Sequence, residues 1–344
     1  MAAKPYRIGI VGASSLAGKE LADTLAESTL AASDVVLLDD EDLAGQITAA
    51  GDEATFIQKI DADSFAAMDF VFFAGSPDAT RKYWKAARLA GASILDMTYT
   101  LEAEPGVIVR APWAHLSGLN EPDLTTPAVV PAHPAALMLL LTASRIHARL
   151  PIRTIAATVF EPASEHGRPA MDELHQQTVA LLSFQSLPRE QYDAQVAFNL
   201  LPSLGESAKI NLAATQTRIL AQYTSLSSSS APELALQLAQ APVFHSYVAS
   251  VLIELQAPAT TEDVEASLHG EPIDITTPDS DPPSNISAAG QPNVLTSVRS
   301  TTSDDTPSTR FWLWLAADNL KLAALNAIAC ANEQRRLRPQ GKVQ

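Results

Sequence analysis

Apolar residues in the first hundred positions fall into short runs closed by small or polar residues. Residues 7–11 (RIGIV) form the first run, 35–38 the second, 69–74 (DFVFFA) the third and 94–97 the fourth. Between them stand stretches of helical spacing: 19–28 after a small-residue turn at 12–18, and 79–90 after the turn GSPD. Short continuous apolar runs bounded by turn signals predict strands buried on both faces. Their alternation with helices predicts a doubly wound α/β unit, a parallel sheet covered on both sides.

The pattern changes after about residue 135. Residues 137–146 predict a strongly apolar helix, and 154–160 alternate like a strand with one wet face. Residues 170–182 predict a helix with Met171, Leu174, Thr178, Leu181 and Leu182 at helical spacing. A serine-rich loop at 225–230 precedes a strand at 248–255. Residues 271–291 are rich in Pro, Ser and Asp with no hydrophobic period, which predicts a long loop or disorder. A strand at 310–315 places Trp312 and Trp314 on one face, toward a neighbouring helix or a partner subunit, and 318–333 predict a closing helix.

The chain has 344 residues, 47% of them hydrophobic, enough for about two domains. Only 18% are charged, and the net charge of -16 argues against nucleic acid or an anionic membrane as the main partner. The longest apolar stretch, 311–331, holds Asp318, Asn319, Lys321 and Asn326, so a membrane span is not expected. Cys330 is the single cysteine. It forbids an intrachain disulfide, fits a reducing cytoplasm, and reads as a buried structural thiol. The N-terminus carries no apolar signal segment, so a cytoplasmic location is expected.

Candidate chemistry begins at Gly12, Ala13, Ser14, Ser15, Leu16, Ala17 and Gly18, between the first strand and the first helix. The spacing is that of a G-x-x-G-x-x-G dinucleotide turn with Ser15 at the middle glycine, where a Cβ stands in the way of close phosphate approach. Free N–H groups at the helix start would face a phosphate. A tight strand–helix turn with no ligand fits the same residues. The second strand ends in Asp39 and Asp40. An acidic pair there suits a ribose 2′-hydroxyl and repels a 2′-phosphate, favouring NAD over NADP; loop carboxylates without a role are the other reading.

A second candidate lies at AVVPAHPAALMLLL, where a strand runs through a turn into a helix, the layout of a nucleophile site. Pro131, Ala132, His133, Pro134 and Ala135 offer one imidazole and no thiol or hydroxyl. His133, His166 and His245 invite a zinc site, but their spacing matches no metal motif and no metal is expected. A hydrolase triad from Ser164, His166 or His133 with Glu165 lacks a G-x-S-x-G elbow.

Several stretches, in order, resemble one family. They are GIVGASSLAGKEL, FVFFAGSPDATRKYWKAARLAGASILDMT, ASEHGRPAMDELHQQTVALL, VAFNLLPSLG, QAPVF and DNLKLAALNAI, spanning residues 7 to about 333. The family is aspartate-semialdehyde dehydrogenase, and the resemblance is strongest to its Usg-like branch, described as homologues lacking the nucleophile. It implies an N-terminal Rossmann domain (1–133 plus 318–344), completed by the C-terminal helix, and a central α+β dimerisation domain (134–317). It also implies a chemistry: a cysteine thiolate attacks the aldehyde, a histidine moves protons, hydride passes to NADP, and phosphate releases the acyl group. The cofactor positions it implies are Gly12 to Gly18, then Ala74, Gly75, Ser76, Ser164, Gly167 and Asn319.

The catalytic positions depart from that pattern. The family's N-C-S/T turn falls on His133, Pro134 and Ala135, so Pro134 stands at the cysteine. Its substrate arginine falls on Gln240, its histidine on Tyr247 and its glutamate on Thr215. The S-G-A-G loop reads Ser164, Glu165, His166, Gly167, and the phosphate-holding arginine has no counterpart. Three readings stay open. One is a non-catalytic homodimer that keeps a nucleotide pocket. The second is an NAD(P)-dependent oxidoreductase using Tyr247 or His245 as proton donor without covalent chemistry. The third is a scaffold or regulatory protein that binds a protein partner and no cofactor.

Overall fold

The computed structural model describes residues 5–30, 34–50, 53–114, 121–227, 231–277, 280–302 and 306–337. The chain divides into two units, Met1–Ala132 with Ala323–Gln344, and His133–Leu322.

The first unit is built on strands that pair in parallel. In chain order its elements are β1 (Arg7–Val11), α1 (Leu16–Ala26), β2 (Asp34–Asp39), β3 (Ile47–Ala50), β4 (Glu53–Phe56), β5 (Gln58–Lys59), β6 (Phe70–Phe73), α2 (Pro77–Leu89), β7 (Ser93–Asp96), β8 (Ile108–Arg110) and β9 (Val129–Pro131). Seven of these strands form one sheet of order β5-β2-β1-β6-β7-β9-β8, every pairing parallel. β3 and β4 form a separate antiparallel hairpin. Ile8, Ile10, Phe70 and Phe72 pack on one face with Leu21 and Leu25 of α1. Val11, Val71 and Phe73 pack on the other with Trp84 and Ala87 of α2. That two-sided burial is why these strands read as unbroken apolar runs. The chain leaves β1 toward β2 on one side and resumes at β6 on the other. β1 and β6 are therefore the switch point, beside which ligands bind in such sheets.

The second unit comprises α3 (Pro134–Arg149), β10 (Ile152–Glu161), α4 (Gly167–Leu182), α5 (Leu212–Ser227), β11 (Leu234–Gln240), β12 (Tyr247–Ala259), α6 (Thr261–Leu268), β13 (Ile273–Ile275), α7 (Asn285–Ala288), β14 (Val294–Ser300), β15 (Ser308–Ala317) and the start of α8 (Asn319–Arg335). Its mixed sheet runs β11-β10-β12-β15-β14-β13, antiparallel except at the β10–β11 and β13–β14 pairs. α3 starts on Pro134, whose fixed φ suits the first helical position, and it is buried from Pro134 through Ser144. In β15 Trp312 and Trp314 share a face and stay 45% and 40% exposed, while Ala288 of α7 packs on the same strand at Ala316. Only Trp314 is anchored, its indole N–H donating to the Pro283 carbonyl.

Two expectations need correction. Residues 271–291 are not a structureless loop: they hold β13, paired with β14, and the short helix α7. α7 is set by a capping box, the Ser284 and Ser287 side chains each bonding the other's backbone N–H, a signal that hydrophobic periodicity does not carry. The expected serine loop at 225–230 begins inside a helix, since α5 continues to Ser227; 228–230 lie outside the described residues.

The edge of the first sheet is tied to the C-terminal helix by charge. The Arg110 guanidinium meets both Glu333 carboxylate oxygens, with side chains only 5% and 10% exposed. The Arg110 carbonyl also accepts from the Asn326 amide, and Cys330 lies buried beside it. Removing one partner of a buried pair strands the other charge. Glu333→Ala is expected to lower the unfolding free energy by about 3–5 kcal/mol, measured by urea denaturation, with Glu333→Gln costing less.

Candidate functional site

Two constellations carry candidate chemistry, one in each unit. In the first, the chain leaves β1 at Gly12 with φ +82°, and a Cβ there would lie 2.1 Å from the Gly75 Cα. The turns after β1 and β6 therefore touch backbone to backbone, which only glycine permits. Ser15 is the α1 N-cap: its Oγ accepts from the Gly18 N–H and donates to the Ala74 carbonyl, bridging the two turns. The Ser15 hydroxyl is thus spent on capping and on the second turn. Gly12 and Ala13 N–H donate to the Leu38 carbonyl, and Ser14 N–H donates to the Asp39 carboxylate at 2.8 Å. Leu16 and Ala17, the first two residues of α1, have N–H groups without a preceding helical turn to bond, at the positive end of the helix dipole. Ser76 caps α2 in the same way, accepting from Ala79 N–H.

In the second unit five ionisable groups, Glu161, Glu165, His166, His133 and Tyr247, meet around the loop after β10. Glu161, the last residue of β10, is fully buried. One carboxylate oxygen lies 2.6 Å from His166 Nε2, and the other accepts from the Tyr247 hydroxyl at 3.3 Å. The Gln240 amide donates to the Glu161 carbonyl at 3.0 Å. Next to it, His133 caps α3: its Nδ1 accepts from Ala135 N–H, leaving Nε2 to face Glu165 Oε1 at 3.1 Å. The His133 N–H donates to the Gln222 side chain, and its ring stands 5.8 Å from that of Tyr247. Asn319 fixes the loop: its amide donates to Glu165, and its oxygen accepts from Ser164 Oγ and Ser246 N–H. Ser246 holds φ +72° while fully buried, a left-handed backbone imposed just before Tyr247.

The sequence-based candidates thus sort clearly. His133, Ser164, Glu165, His166, Gln240, Tyr247 and Asn319 come together in this network; Pro134 adjoins it as the first residue of α3, offering no reactive atom. Gly167 follows with φ +75° at the start of α4. Thr215 sits in the first turn of α5, where its N–H and hydroxyl donate to the Asn211 carbonyl. The Glu165 carboxylate, at the second position of the S-G-A-G loop, turns onto His133, because a partly buried carboxylate needs a donor. Ser164 bonds an amide rather than an imidazole, so no Ser–His pair forms. Among the described residues no group of three or more His, Cys, Asp or Glu is arranged to hold a metal, and no helix is long and apolar enough to cross a membrane.

Glu161, Gln222 and Ser246 escaped sequence reasoning. Glu161 ends an ordinary strand pattern, and its importance appears only when β10, β11, β12 and the next loop meet around it. A glutamate directly before a proline at a strand end is the one local cue.

Burial pushes the Glu165 carboxyl up, but the electrostatic pull of His133, its hydrogen bond from His133, and the contributions of His166 and Asn319 outweigh it and bring it down to about 2. Burial pushes His166 down, and Glu161 and then Glu165 more than reverse this, raising it above 6.5.

The fold defines a two-unit α/β protein with a nucleotide-type parallel sheet and a separate mixed sheet. Residues 7–136 match the semialdehyde dehydrogenase NAD-binding domain, and 144–322 match the semialdehyde dehydrogenase dimerisation domain. The chain belongs to the semialdehyde dehydrogenase family. It is 30% identical over 329 residues to a USG-1 protein homolog of Azotobacter vinelandii, covering 94% of this chain and 96% of the relative. It is 24% identical to an aspartate-semialdehyde dehydrogenase of Rickettsia bellii, covering 96% and 98%. A solved probable aspartate-semialdehyde dehydrogenase from Pseudomonas aeruginosa superposes with a TM-score of 0.83 at 26% identity, covering 97% of this chain and 99% of that one.

The two His–Glu pairs give opposite pH dependences. Glu165, depressed when folded, contributes stability that is present above 4.5 and lost as pH falls toward 2. His166, raised when folded, contributes stability that is present below 6.5 and lost as pH rises through its raised value. Urea midpoints measured against pH are expected to fall on both sides. Glu165→Gln should flatten the acid limb, and His166→Gln the neutral limb.

Proposed function

We propose that this chain is a semialdehyde dehydrogenase homologue that has lost covalent aldehyde chemistry and persists as a cytoplasmic homodimer with a dinucleotide-binding turn. One observation carries the loss. The residues at the family's catalytic and loop positions are engaged inside the protein: His133 with Glu165, and His166, Gln240 and Tyr247 with the buried Glu161. The family reaction needs a thiolate and a proton-moving histidine, and here the aligned positions hold Pro134 and a buried tyrosine whose hydroxyl is donated to Glu161. The same contact counts against non-covalent hydride transfer with Tyr247 as proton donor, since that group is 1% exposed.

The dinucleotide part rests on the glycine cradle. A Cβ at Gly12 or Gly75 would fill the contact between the two turns, and the Leu16 and Ala17 N–H groups suit a phosphate. The Leu16 and Ala17 N–H groups would hold the pyrophosphate, over the close contact of Gly12 with Gly75. The dinucleotide supplies hydride chemistry when bound; this chain's residues would bind and orient it.

The purified chain is expected to show no turnover of aspartate semialdehyde with NAD or NADP and phosphate, followed by absorbance at 340 nm. Pro134→Cys alone should not restore it, because Tyr247 and Gln240 remain. Turnover by the wild-type chain near family rates overturns this reading. Absence of NAD(H) and NADP(H) binding at millimolar concentration would leave only the scaffold reading.

Dimerisation is assigned to the open face of the mixed sheet, where Trp312 and Trp314 stand exposed beside Leu252 and Ser250 of β12. Large exposed aromatics on a sheet face mark a covered surface. Trp312→Glu is expected to shift the chain from dimer to monomer in light scattering while its thermal melt stays cooperative.

A further inference from the structure

We infer that Asp39 makes this chain select NAD(H) over NADP(H), an inference that rests on the dinucleotide reading above. Of the two aspartates at the end of β2, only one is built into the site. Asp40 is exposed, whereas Asp39 is 8% exposed and both its oxygens are engaged. Its Oδ2 accepts from Ser14 N–H at 2.8 Å, inside the glycine turn, and its Oδ1 accepts from Asp40 N–H at 3.0 Å. The carboxylate is therefore pinned between β2 and the turn that would hold the pyrophosphate. In doubly wound sheets the adenosine ribose lies at this place, and an acidic residue there takes the 2′-hydroxyl.

Each carboxylate oxygen keeps a second lone-pair side for a hydroxyl donor. A 2′-phosphate has no such proton to give, and brings about two negative charges against a fixed one. The surroundings deepen the repulsion. Asp39, Asp40, Glu41 and Asp42 run consecutively. The cation nearest in register, Lys59 of β5, pairs with Asp39 along the backbone, but its ammonium is held by Glu41 at 2.7 Å. Lys82 is drawn toward Tyr83 and the charge of Asp40. An arginine set to receive a 2′-phosphate, as NADP sites use, does not occur in the segment 34–46.

The test is binding, by calorimetry with NADH and NADPH on the full chain. The wild type is expected to hold NADH tighter by roughly tenfold or more. Asp39→Ser, which keeps an oxygen for Ser14 N–H, should shrink the ratio by about tenfold. Equal or tighter NADPH binding by the wild type overturns the inference and leaves the dinucleotide reading standing. So does an unchanged ratio in folded Asp39→Ser. No binding of either cofactor overturns both readings together. Should Asp39→Ser fail to fold, wild-type competition decides. 5′-AMP should displace NADH better than adenosine 2′,5′-bisphosphate, and the reverse order refutes the role of Asp39.

Discussion

A carboxylate removed from water must be held by donors, and Glu161 imposes that requirement on the whole polar core of the second unit. Its side chain takes one contact from His166 and one from Tyr247, and its backbone carbonyl takes the Gln240 amide. Two strands, β11 and β12, and a loop are thereby locked to the end of β10. Leaving such a charge unpaired would cost several kcal/mol, so the network is a condition of the fold rather than decoration. The strained backbone at Ser246 follows from it, since Ser246 N–H reaches Asn319 while the next residue delivers its phenol to Glu161.

That constraint also explains the chemistry. An imidazole acts as a general base when it is free to exchange a proton with substrate. Here His133 lies against Glu165 with its other nitrogen capping α3, and His166 lies against Glu161. Each is held against a carboxylate inside the protein rather than left open to a substrate. The residues at positions that depart from the family pattern are not independent of one another either. Glu165 would be an unpaired buried charge without His133 and Asn319, and His166 would be a buried cation without Glu161. Side chains that supply one another's partners are what supports the proposed loss of covalent chemistry.

Much of the first unit was legible because its signals are local. Runs such as FVFF between turn residues define β6 whatever surrounds them, and the glycine spacing marks the turn after β1. The Asp39–Asp40 pair was visible too, but only the fold separates the anchored carboxylate from the exposed one. The second unit was harder. β13 and α7 are three and four residues long, too short for periodicity, and are set by pairing and by a capping box. Glu161 and Gln240 are 79 positions apart, and Glu161 and Tyr247 are 86 apart. No spacing rule joins residues at such distances; the sheet does, by placing the ends of β10, β11 and β12 side by side.

The two sites have therefore been treated differently by the same physics. In the glycine turn, the atoms that define the cradle are backbone atoms, and their geometry depends on the absence of side chains at Gly12 and Gly75. Such a site survives as long as the strands and the cap survive, because fold stability and phosphate geometry ask for the same residues. Covalent chemistry depends instead on side chains, which a fold can exchange without losing its backbone geometry. Once a charge such as Glu161 lies inside, hydrogen bonding constrains what its neighbours can be. The proposed cradle and the proposed loss of covalent chemistry rest on that difference between a backbone site and a side-chain site.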